Sequence, residues 1–242
     1  MNYRSVFADR SEAGQRLGDA LLARGYGPGA ERAPDAATAG SAGAADTSAP
    51  DTNAMRPMVL ALPRGGVPVA YEIAAKLGAP LDVLVVRKLG MPGHEELALG
   101  AVASGGAEVI NHDLVRSLRV SDAALTAVRQ LELAELARRE QEYRGDRPPL
   151  SVRGRDVIVV DDGVATGATV RVAIAALRQA GARRVTVAVP LASPDVALQL
   201  ERLVDDLVCL ETPEPFGSVG RWYGRFEQTT DAEVRRTLRR AR

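Results

Sequence analysis

Short apolar runs alternate with amphipathic helical segments through most of the chain, beginning at Val59. Five runs are rich in valine, leucine and isoleucine, as is typical of strands buried on both faces of a sheet: MVLAL, LDVLVVR, DVIVV, RRVTVAVP and DLVCLE. Between them lie VPVAYEIAAKLG, ATVRVAIAALRQAG and a segment with Ser193 as N-cap and Pro194 at its first position. This alternation predicts an α/β fold with an open, mainly parallel sheet flanked by helices.

Capping patterns predict one further helix near each end of the chain. The segment DRSEAGQRLGDALLARG combines the Asp9/Glu12 spacing of a capping box with Gly25 as a stop. The segment TTDAEVRRTLRR has the same spacing at Thr230 and Glu233. Each pattern fixes the residue at which its helix is expected to begin.

Two segments break the alternation of strands and helices. Residues 28–57 have almost no large apolar side chain, so we predict a disordered insertion within a single domain that spans residues 1–242. Residues 89–150 contain ELALGAVASGGAEVI, predicted to be a β-hairpin turning at 104–106, and an amphipathic helix capped by Ser121. We interpret this hairpin-plus-helix insertion as a lid.

The charge balance narrows the classes of partner. The 242 residues include 31 basic and 31 acidic side chains, so the net charge gives no reason to expect a nucleic-acid or membrane surface. The single cysteine, Cys209, lies in an apolar run, and the N-terminus lacks a signal-like apolar core, so we expect a cytoplasmic protein. Only Lys76 and Lys88 are lysines, which makes a lysine in a candidate site noteworthy.

The stretch VIVVDDGVATGATV carries the strongest chemical signal. It places Asp161 and Asp162 at the carboxyl end of a strand, where open parallel sheets bind ligands. The small and hydroxyl residues at 165–169 can turn tightly and direct N–H groups toward an anion at a helix start. No Walker A, G-x-G-x-x-G or G-x-S-x-G motif is present, which disfavours an ordinary nucleoside triphosphate or dinucleotide.

Two carboxylates beside a phosphate need a role that offsets their repulsion. They can accept hydrogen bonds from vicinal hydroxyls or help to hold a cation, and a ribose phosphate would supply the hydroxyls. Without the loop, paired aspartates after a strand would be interpreted more simply as turn formers or helix caps. The combination predicts a ribose-phosphate site.

Residues 157–169 closely resemble the ribose-phosphate signature of type I phosphoribosyltransferases, which has four apolar residues, two acids and a T-G-x-T type loop. The resemblance implies that Asp161 and Asp162 bind the 2- and 3-hydroxyls of phosphoribosyl pyrophosphate (PRPP) and contact indirectly the Mg²⁺ expected with it. It also implies that the loop binds the 5-phosphate through Ala165, Thr166, Gly167, Ala168 and Thr169. The likeness covers residues 59 to about 212 and implies the fold of that family.

The segment ALPRGGVPVA, after the first core strand, is similar to the pyrophosphate loop of the same family. Arg64, Gly65 and Gly66 stand in the matching positions, and in relatives this loop often holds a non-proline cis peptide. Taken alone, the same residues would fit a plain glycine turn into a helix.

The segment VVRKLGMPGHEELALGA is similar in placement to the mobile catalytic loop of the family. The resemblance implies that Arg87 and Lys88 neutralise the leaving pyrophosphate, while residues 89–106 form the lid that keeps water from the reaction. His94 in this loop is expected to be incidental.

One position departs from the purine-salvage pattern. Hypoxanthine-type relatives carry an aspartate where this chain has Ala165, which argues against a standard hypoxanthine-guanine enzyme. Either the acceptor arrives with an unprotonated nitrogen, or Glu95 or Glu96 acts as its base.

The segment 213–242 is expected to lie on the acceptor side of the site. It concentrates aromatic residues, of which Phe216 or Trp222 could stack on a flat heterocyclic acceptor. The alternative is that these rings pack the tail onto the sheet.

These features together predict a phosphoribosyltransferase of nucleotide metabolism that moves ribose 5-phosphate from PRPP to an unidentified acceptor, a nitrogen heterocycle, and releases pyrophosphate. We expect a homodimer with small-molecule substrates. The alternative is a PRPP-binding regulator without catalysis, although no helix-turn-helix or basic recognition helix accompanies the signature. A hydrolase would need a metal cluster that His94 and His112 do not supply.

Overall fold

The computed structural model describes residues 5–27, 56–148 and 150–241. The strands in these ranges are β1 (Met58–Ala61), β2 (Leu81–Val83), β3 (Val86–Met91), β4 (His94–Ala103), β5 (Ala107–Ile110), β6 (Asp156–Val160), β7 (Arg184–Leu191) and β8 (Asp206–Glu211). The helices are α1 (Arg10–Ala23), α2 (Gly66–Leu77), α3 (His112–Ser117), α4 (Asp122–Arg144), α5 (Ala168–Gln179), α6 (Pro194–Glu201) and α7 (Asp231–Arg240), with a short 3₁₀ helix at Val219–Trp222.

Five strands form a parallel sheet in the order β2-β1-β6-β7-β8. β1 and β6 are neighbours in this sheet, with Val59 opposite Ile158 and Ala61 opposite Val160. Because the two strands are parallel and in register, the loops that follow them emerge side by side at one edge of the sheet. The predicted fold class is confirmed.

Alternate residues of the central strands fill two apolar cores. Val59 and Ala61 pack with residues of α1, α2 and α7, whereas Leu60 packs with residues of α5 and α6. Both sets are almost completely buried. Coverage of both faces explains why these strands are continuously apolar in sequence rather than alternating.

The run LDVLVVR is not one strand, and that prediction is wrong. Only Leu81–Val83 joins the parallel sheet, and the chain then enters β3, which pairs with the antiparallel strand β4. Two buried residues make the crossing: the Leu84 N–H donates to the Ala61 carbonyl, and the Val85 N–H donates to the Ser104 hydroxyl at 3.0 Å. An apolar run therefore marks burial here without marking one continuous strand.

The insertion between the two halves of the sheet contains the elements that were predicted. β4 and β5 are joined at residues 104–106, as expected for the hairpin, and β3 adds a third strand. The Ser121 hydroxyl accepts from the Ala124 N–H and caps α4. This separate antiparallel sheet and its helix fit the predicted lid.

A buried ion pair fixes the end of α4 to the parallel sheet. Arg144 donates to both carboxylate oxygens of Asp82 on β2, at 3.1 and 3.0 Å, and the side chains are 7% and 11% exposed. Arg147 lies 3.5 Å from the same carboxylate and donates to the Leu238 carbonyl of α7. The base of the insertion is thus held to the sheet and to the last helix.

The predicted disordered insertion at 28–57 lies almost entirely outside the described residues, which resume at Arg56. Both terminal helices begin where their capping patterns place them, with Asp9 and Thr230 as N-caps. Within the described ranges, no helix combines the length and the apolar character needed to cross a bilayer.

Candidate active site

The paired aspartates lie directly after β6, at the carboxyl edge of the sheet. The Asp161 carboxylate accepts a hydrogen bond from the Asp162 N–H at 2.9 Å. The Asp162 carboxylate lies 2.8 Å from both Nε and Nη2 of Arg10, the first residue of α1. The two acids therefore differ in their surroundings, since Asp162 has a cation against it.

Burial dominates the acidity of the pair. It raises the pKa of the Asp161 carboxyl well above its usual value, and the neighbouring Asp162 carboxylate raises that pKa further. Burial also raises the pKa of the Asp162 carboxyl, although the Arg10 guanidinium opposes this shift. A ligand that donates hydrogen bonds to both carboxylates would replace the water that burial removes.

The loop after β1 approaches the acids closely. Its Pro63–Arg64 peptide bond is cis, as the resemblance implied for a pyrophosphate loop. A Cβ built on Gly65 would lie 2.0 Å from Oδ2 of Asp162, and one built on Gly66 would lie 2.5 Å from the Val160 carbonyl oxygen. Glycine is required at both positions because Gly65 packs against the Asp162 carboxylate and Gly66 packs against the backbone at the end of β6.

Arg64 extends from this loop toward α7. Its Nη1 lies 3.6 Å from Oδ2 of Asp231, and its side chain is 36% exposed. The other oxygen of the same carboxylate accepts from the Tyr143 hydroxyl of α4 at 2.6 Å. Burial and this contact raise the pKa of Tyr143 to about 12, so its hydroxyl remains a donor.

The loop at 165–169 turns into α5 through Gly167, which is the N-cap and has a φ of +70°. A Cβ on Gly167 would lie 2.7 Å from Cγ1 of Val196 on α6. The Ser193 hydroxyl donates to the Ala165 carbonyl at 3.0 Å and holds the loop against the start of α6. Three residues of this predicted phosphate cradle are exposed to solvent: Ala165, Thr166 and Thr169.

Arg87 and Lys88 lie on strand β3, not on a loop, and have different environments. Arg87 pairs with Glu132 of α4 at 2.7 Å, whereas Lys88 is exposed and forms no ion pair with any side chain that the structure describes. A cavity of about 470 Å³ is lined by both residues and by Thr169 of the phosphate loop. The structure therefore brings the predicted catalytic cations to one cavity with the predicted phosphate site.

Phe216 and Trp222 are 9% and 8% exposed and belong to one apolar cluster with Phe7. The Trp222 indole N–H donates to the Phe216 carbonyl at 2.8 Å. A different ring, Phe226, lines a cavity of about 400 Å³ beside Asp162. The other residues that line this cavity are Arg10, Arg64, Gly65, Asp162, Gln228 and Thr229.

Sequence reasoning missed Arg10 and Phe226. Arg10 and Asp162 are 152 residues apart, so no spacing pattern connects them. The Arg10 guanidinium also lies 3.8 Å from the centre of the Phe226 ring. Only the folded chain brings α1 and the C-terminal segment together beside Asp162.

The fit of a metal ion depends on these carboxylates. In the part of the chain that the structure describes, no group of three or more His, Cys, Asp or Glu side chains is arranged to hold a metal. Mg²⁺ commonly keeps several waters and uses one or two carboxylates together with substrate phosphates. Asp161 and Asp162 fit a hydrated Mg²⁺ ion that would arrive bound to the phosphates of a substrate.

Comparisons with known protein families and with known sequences both identify phosphoribosyl transferases as similar to this chain. The family model for the phosphoribosyl transferase domain matches residues 38–219. Proteins from two strains of Mycobacterium tuberculosis, provisionally named phosphoribosyl transferases, are each 48% identical to the chain over 184 residues. The match covers 76% of this chain and 42% of each relative, so the chain spans less than half the length of these curated relatives.

A solved structure extends the likeness over nearly the whole chain. The crystal structure of the protein TT1426 from Thermus thermophilus is similar with a TM-score of 0.75 and 39% sequence identity. The match covers 96% of this chain and 97% of that one. The hairpin-plus-helix insertion and the C-terminal segment thus belong to a shared architecture.

Proposed function

Because the chain belongs to the type I phosphoribosyltransferase family, we propose that it transfers ribose 5-phosphate from PRPP to an acceptor and releases pyrophosphate. The observation that carries this proposal is the approach of two loops at one sheet edge, where Gly65 packs against the Asp162 carboxylate. A pyrophosphate loop and a ribose-diol site must be this close to bind one PRPP molecule.

Each loop would bind a different part of PRPP. Asp161 and Asp162 accept hydrogen bonds from the ribose hydroxyls, and the turn at 165–169 binds the 5-phosphate. Arg64, with the backbone of Gly65 and Gly66, binds the pyrophosphate. This assignment is supported by the glycines of both loops. Close packing requires glycine at Gly65 and Gly66, and a positive φ favours glycine at Gly167.

The reaction would proceed through a ribose with oxocarbenium character. The bond between the anomeric carbon and the pyrophosphate oxygen breaks, and this oxygen keeps the electron pair. The acceptor nitrogen then attacks the anomeric carbon from the opposite face of the ribose. Arg87 and Lys88 stabilise the charge that grows on the leaving group, and the larger share falls to Lys88 because Glu132 already pairs with Arg87. The insertion at 89–106 would exclude water during this step.

Mg²⁺ that arrives with PRPP would neutralise part of the charge of the pyrophosphate. Asp161 and Asp162 would hold the hydrated ion indirectly. The chain's own contribution is to place these carboxylates beside the diol and to direct Arg64 toward the phosphates.

The acceptor is proposed to be a nitrogen heterocycle in nucleotide metabolism. Stacking on Phe216 or Trp222 requires that these rings become more accessible than they are here, because both are nearly buried. Glu95 or Glu96 remains our candidate base, since Ala165 cannot take a proton. We further propose a single domain over 1–242, a homodimer and a cytoplasmic location.

The test is incubation with PRPP, Mg²⁺ and pooled heterocyclic acceptors while pyrophosphate release is followed, beside calorimetric PRPP binding. We expect binding and acceptor-dependent release. Asp161→Asn should reduce both, whereas Asp156→Asn, at the opposite end of β6 and paired with Arg183, should reduce neither. PRPP binding without release for any acceptor would favour the regulator, and absence of PRPP binding would overturn the proposal.

A further inference from the structure

Arg10 makes three contacts that place its guanidinium beside the candidate active site. Its Nε and Nη2 each lie 2.8 Å from Oδ2 of Asp162, and its Nη1 donates to the Glu227 carbonyl at 2.7 Å. The Cζ atom of the group lies over the Phe226 ring. Its side chain is only 12% exposed, so the position is fixed by packing as well as by charge.

The same guanidinium lines the cavity of about 400 Å³ that also contains Arg64 and Gly65 of the pyrophosphate loop. The charged side chains that line this cavity are two arginines, Arg10 and Arg64, and one carboxylate, Asp162. A guanidinium has five N–H donors, so the contacts of Arg10 leave donors for a ligand. Without Arg10, Asp162 would present an uncompensated negative charge to any phosphate in this space.

We propose that Arg10 is a second arginine of the pyrophosphate subsite, which contacts the leaving diphosphate of PRPP and shields it from the Asp162 carboxylate. The inference rests on the proposed function and deepens it. It assigns the substrate contact to the N-terminal helix α1, an element that no motif connects with the site. Two arginines from two elements, Arg10 and Arg64, would then hold the diphosphate from different sides.

A matched residue on the same helix separates this role from simple packing. Arg16 also pairs with a carboxylate, Glu211 at 3.3 Å, donates to a backbone carbonyl, and lies over an aromatic ring, Phe7. It does not line the cavity beside Asp162. Arg16→Gln therefore removes the same kinds of contact without touching the proposed subsite.

The experiment is titration calorimetry of the full chain with two probes, Mg²⁺-pyrophosphate and ribose 5-phosphate. Arg10→Gln should weaken pyrophosphate and PRPP binding by about tenfold to a hundredfold, as expected for loss of charge-assisted hydrogen bonds. Ribose 5-phosphate has no diphosphate, so its affinity should stay within about threefold or improve as Asp162 is freed. Arg16→Gln should leave both affinities unchanged.

If Arg10→Gln weakens the affinity for both probes equally, Arg10 only orients Asp162. If the affinity for pyrophosphate is unchanged, Arg10 does not contact the diphosphate. Either result overturns the inference. Should Arg10→Gln fail to fold, Arg10→Lys keeps the charge but not the planar fork, and it should still weaken pyrophosphate selectively. Failure of the parent protein to bind PRPP would instead overturn the proposed function. If the parent protein binds PRPP and Arg10→Gln binds PRPP and pyrophosphate equally well, only this inference is overturned.

Discussion

The hydroxyl of Tyr223 donates a hydrogen bond to the backbone carbonyl of Asp162 at 2.6 Å. Burial raises the pKa of Tyr223, so the hydroxyl stays protonated and remains the donor. The Tyr223 ring lies between Phe7 and Phe226, with centroids 5.4 and 5.0 Å away. The aromatic residues of the C-terminal segment thus fix the backbone that carries the acid pair.

Replacement of Gly167 tests the phosphate cradle. Gly167→Ala should abolish measurable ribose 5-phosphate binding, because the new Cβ would lie 2.7 Å from Val196 and the loop must shift. Gly154 is the matched control, since its φ is also +70° but nothing lies within 4 Å of a Cβ there. Both variants should lose about 1–2 kcal/mol of unfolding free energy from the left-handed backbone. Retained binding in Gly167→Ala would place the phosphate elsewhere.

Replacement of Lys88 tests the leaving-group assignment. Lys88→Ala should slow single-turnover pyrophosphate release about a hundredfold to a thousandfold while changing PRPP affinity much less, because the charge it stabilises grows only as the bond breaks. Lys76, the other lysine, pairs with Asp19 on the surface and serves as the control. Release at the parental rate in Lys88→Ala would contradict the assignment.

The buried ion network at the base of α4 should be sensitive to loss of its carboxylate. Asp82→Ala leaves Arg144 and Arg147 without their shared partner, and we expect a loss of about 3–5 kcal/mol in urea unfolding. The exposed pair of Asp113 with Arg116 is the comparison, and Asp113→Ala should change stability little. Similar losses in the two variants would show that burial does not govern the contribution.

The thiol of Cys209 should react slowly with alkylating reagents. Burial raises its pKa to about 11, so its thiolate fraction at pH 8 is about one in a thousand. Alkylation by iodoacetamide should therefore be slow in the native protein and should rise about tenfold per pH unit until the pH nears that pKa. In denaturant the same single cysteine should react as an ordinary thiol. Rapid native labelling at pH 8 would contradict the raised pKa of this partly buried thiol.

Sequence patterns were sufficient to predict those elements whose structure depends on neighbouring residues in the chain. The capping residues Asp9, Ser121 and Thr230 each begin a helix because their side chains bond to N–H groups two or three residues ahead. The parallel sheet followed from apolar runs alternating with helices, since each run is buried on both faces. These signals need no knowledge of distant residues.

The remaining features depend on contacts between distant segments. An apolar run could not reveal that the chain leaves one sheet for another after Val83, because Leu84 and Val85 are buried in either case. Nor could it reveal that Arg87 is neutralised by Glu132 while Lys88 stays exposed. The two side chains differ in their partners although both line one cavity, and only the position of α4 in the folded chain decides which of them is paired.

The carboxylate of Asp231 serves two elements at once, with one oxygen toward Tyr143 of α4 and the other toward Arg64 of the pyrophosphate loop. Linked equilibria are reciprocal. If a ligand of Arg64 weakens the contact between Tyr143 and Asp231, a displacement of α4 that breaks this contact changes the affinity for that ligand by the same free energy. Tyr143 and Arg64 are coupled through one carboxylate, so a change in the position of α4 is expected to reach the pyrophosphate loop through Asp231.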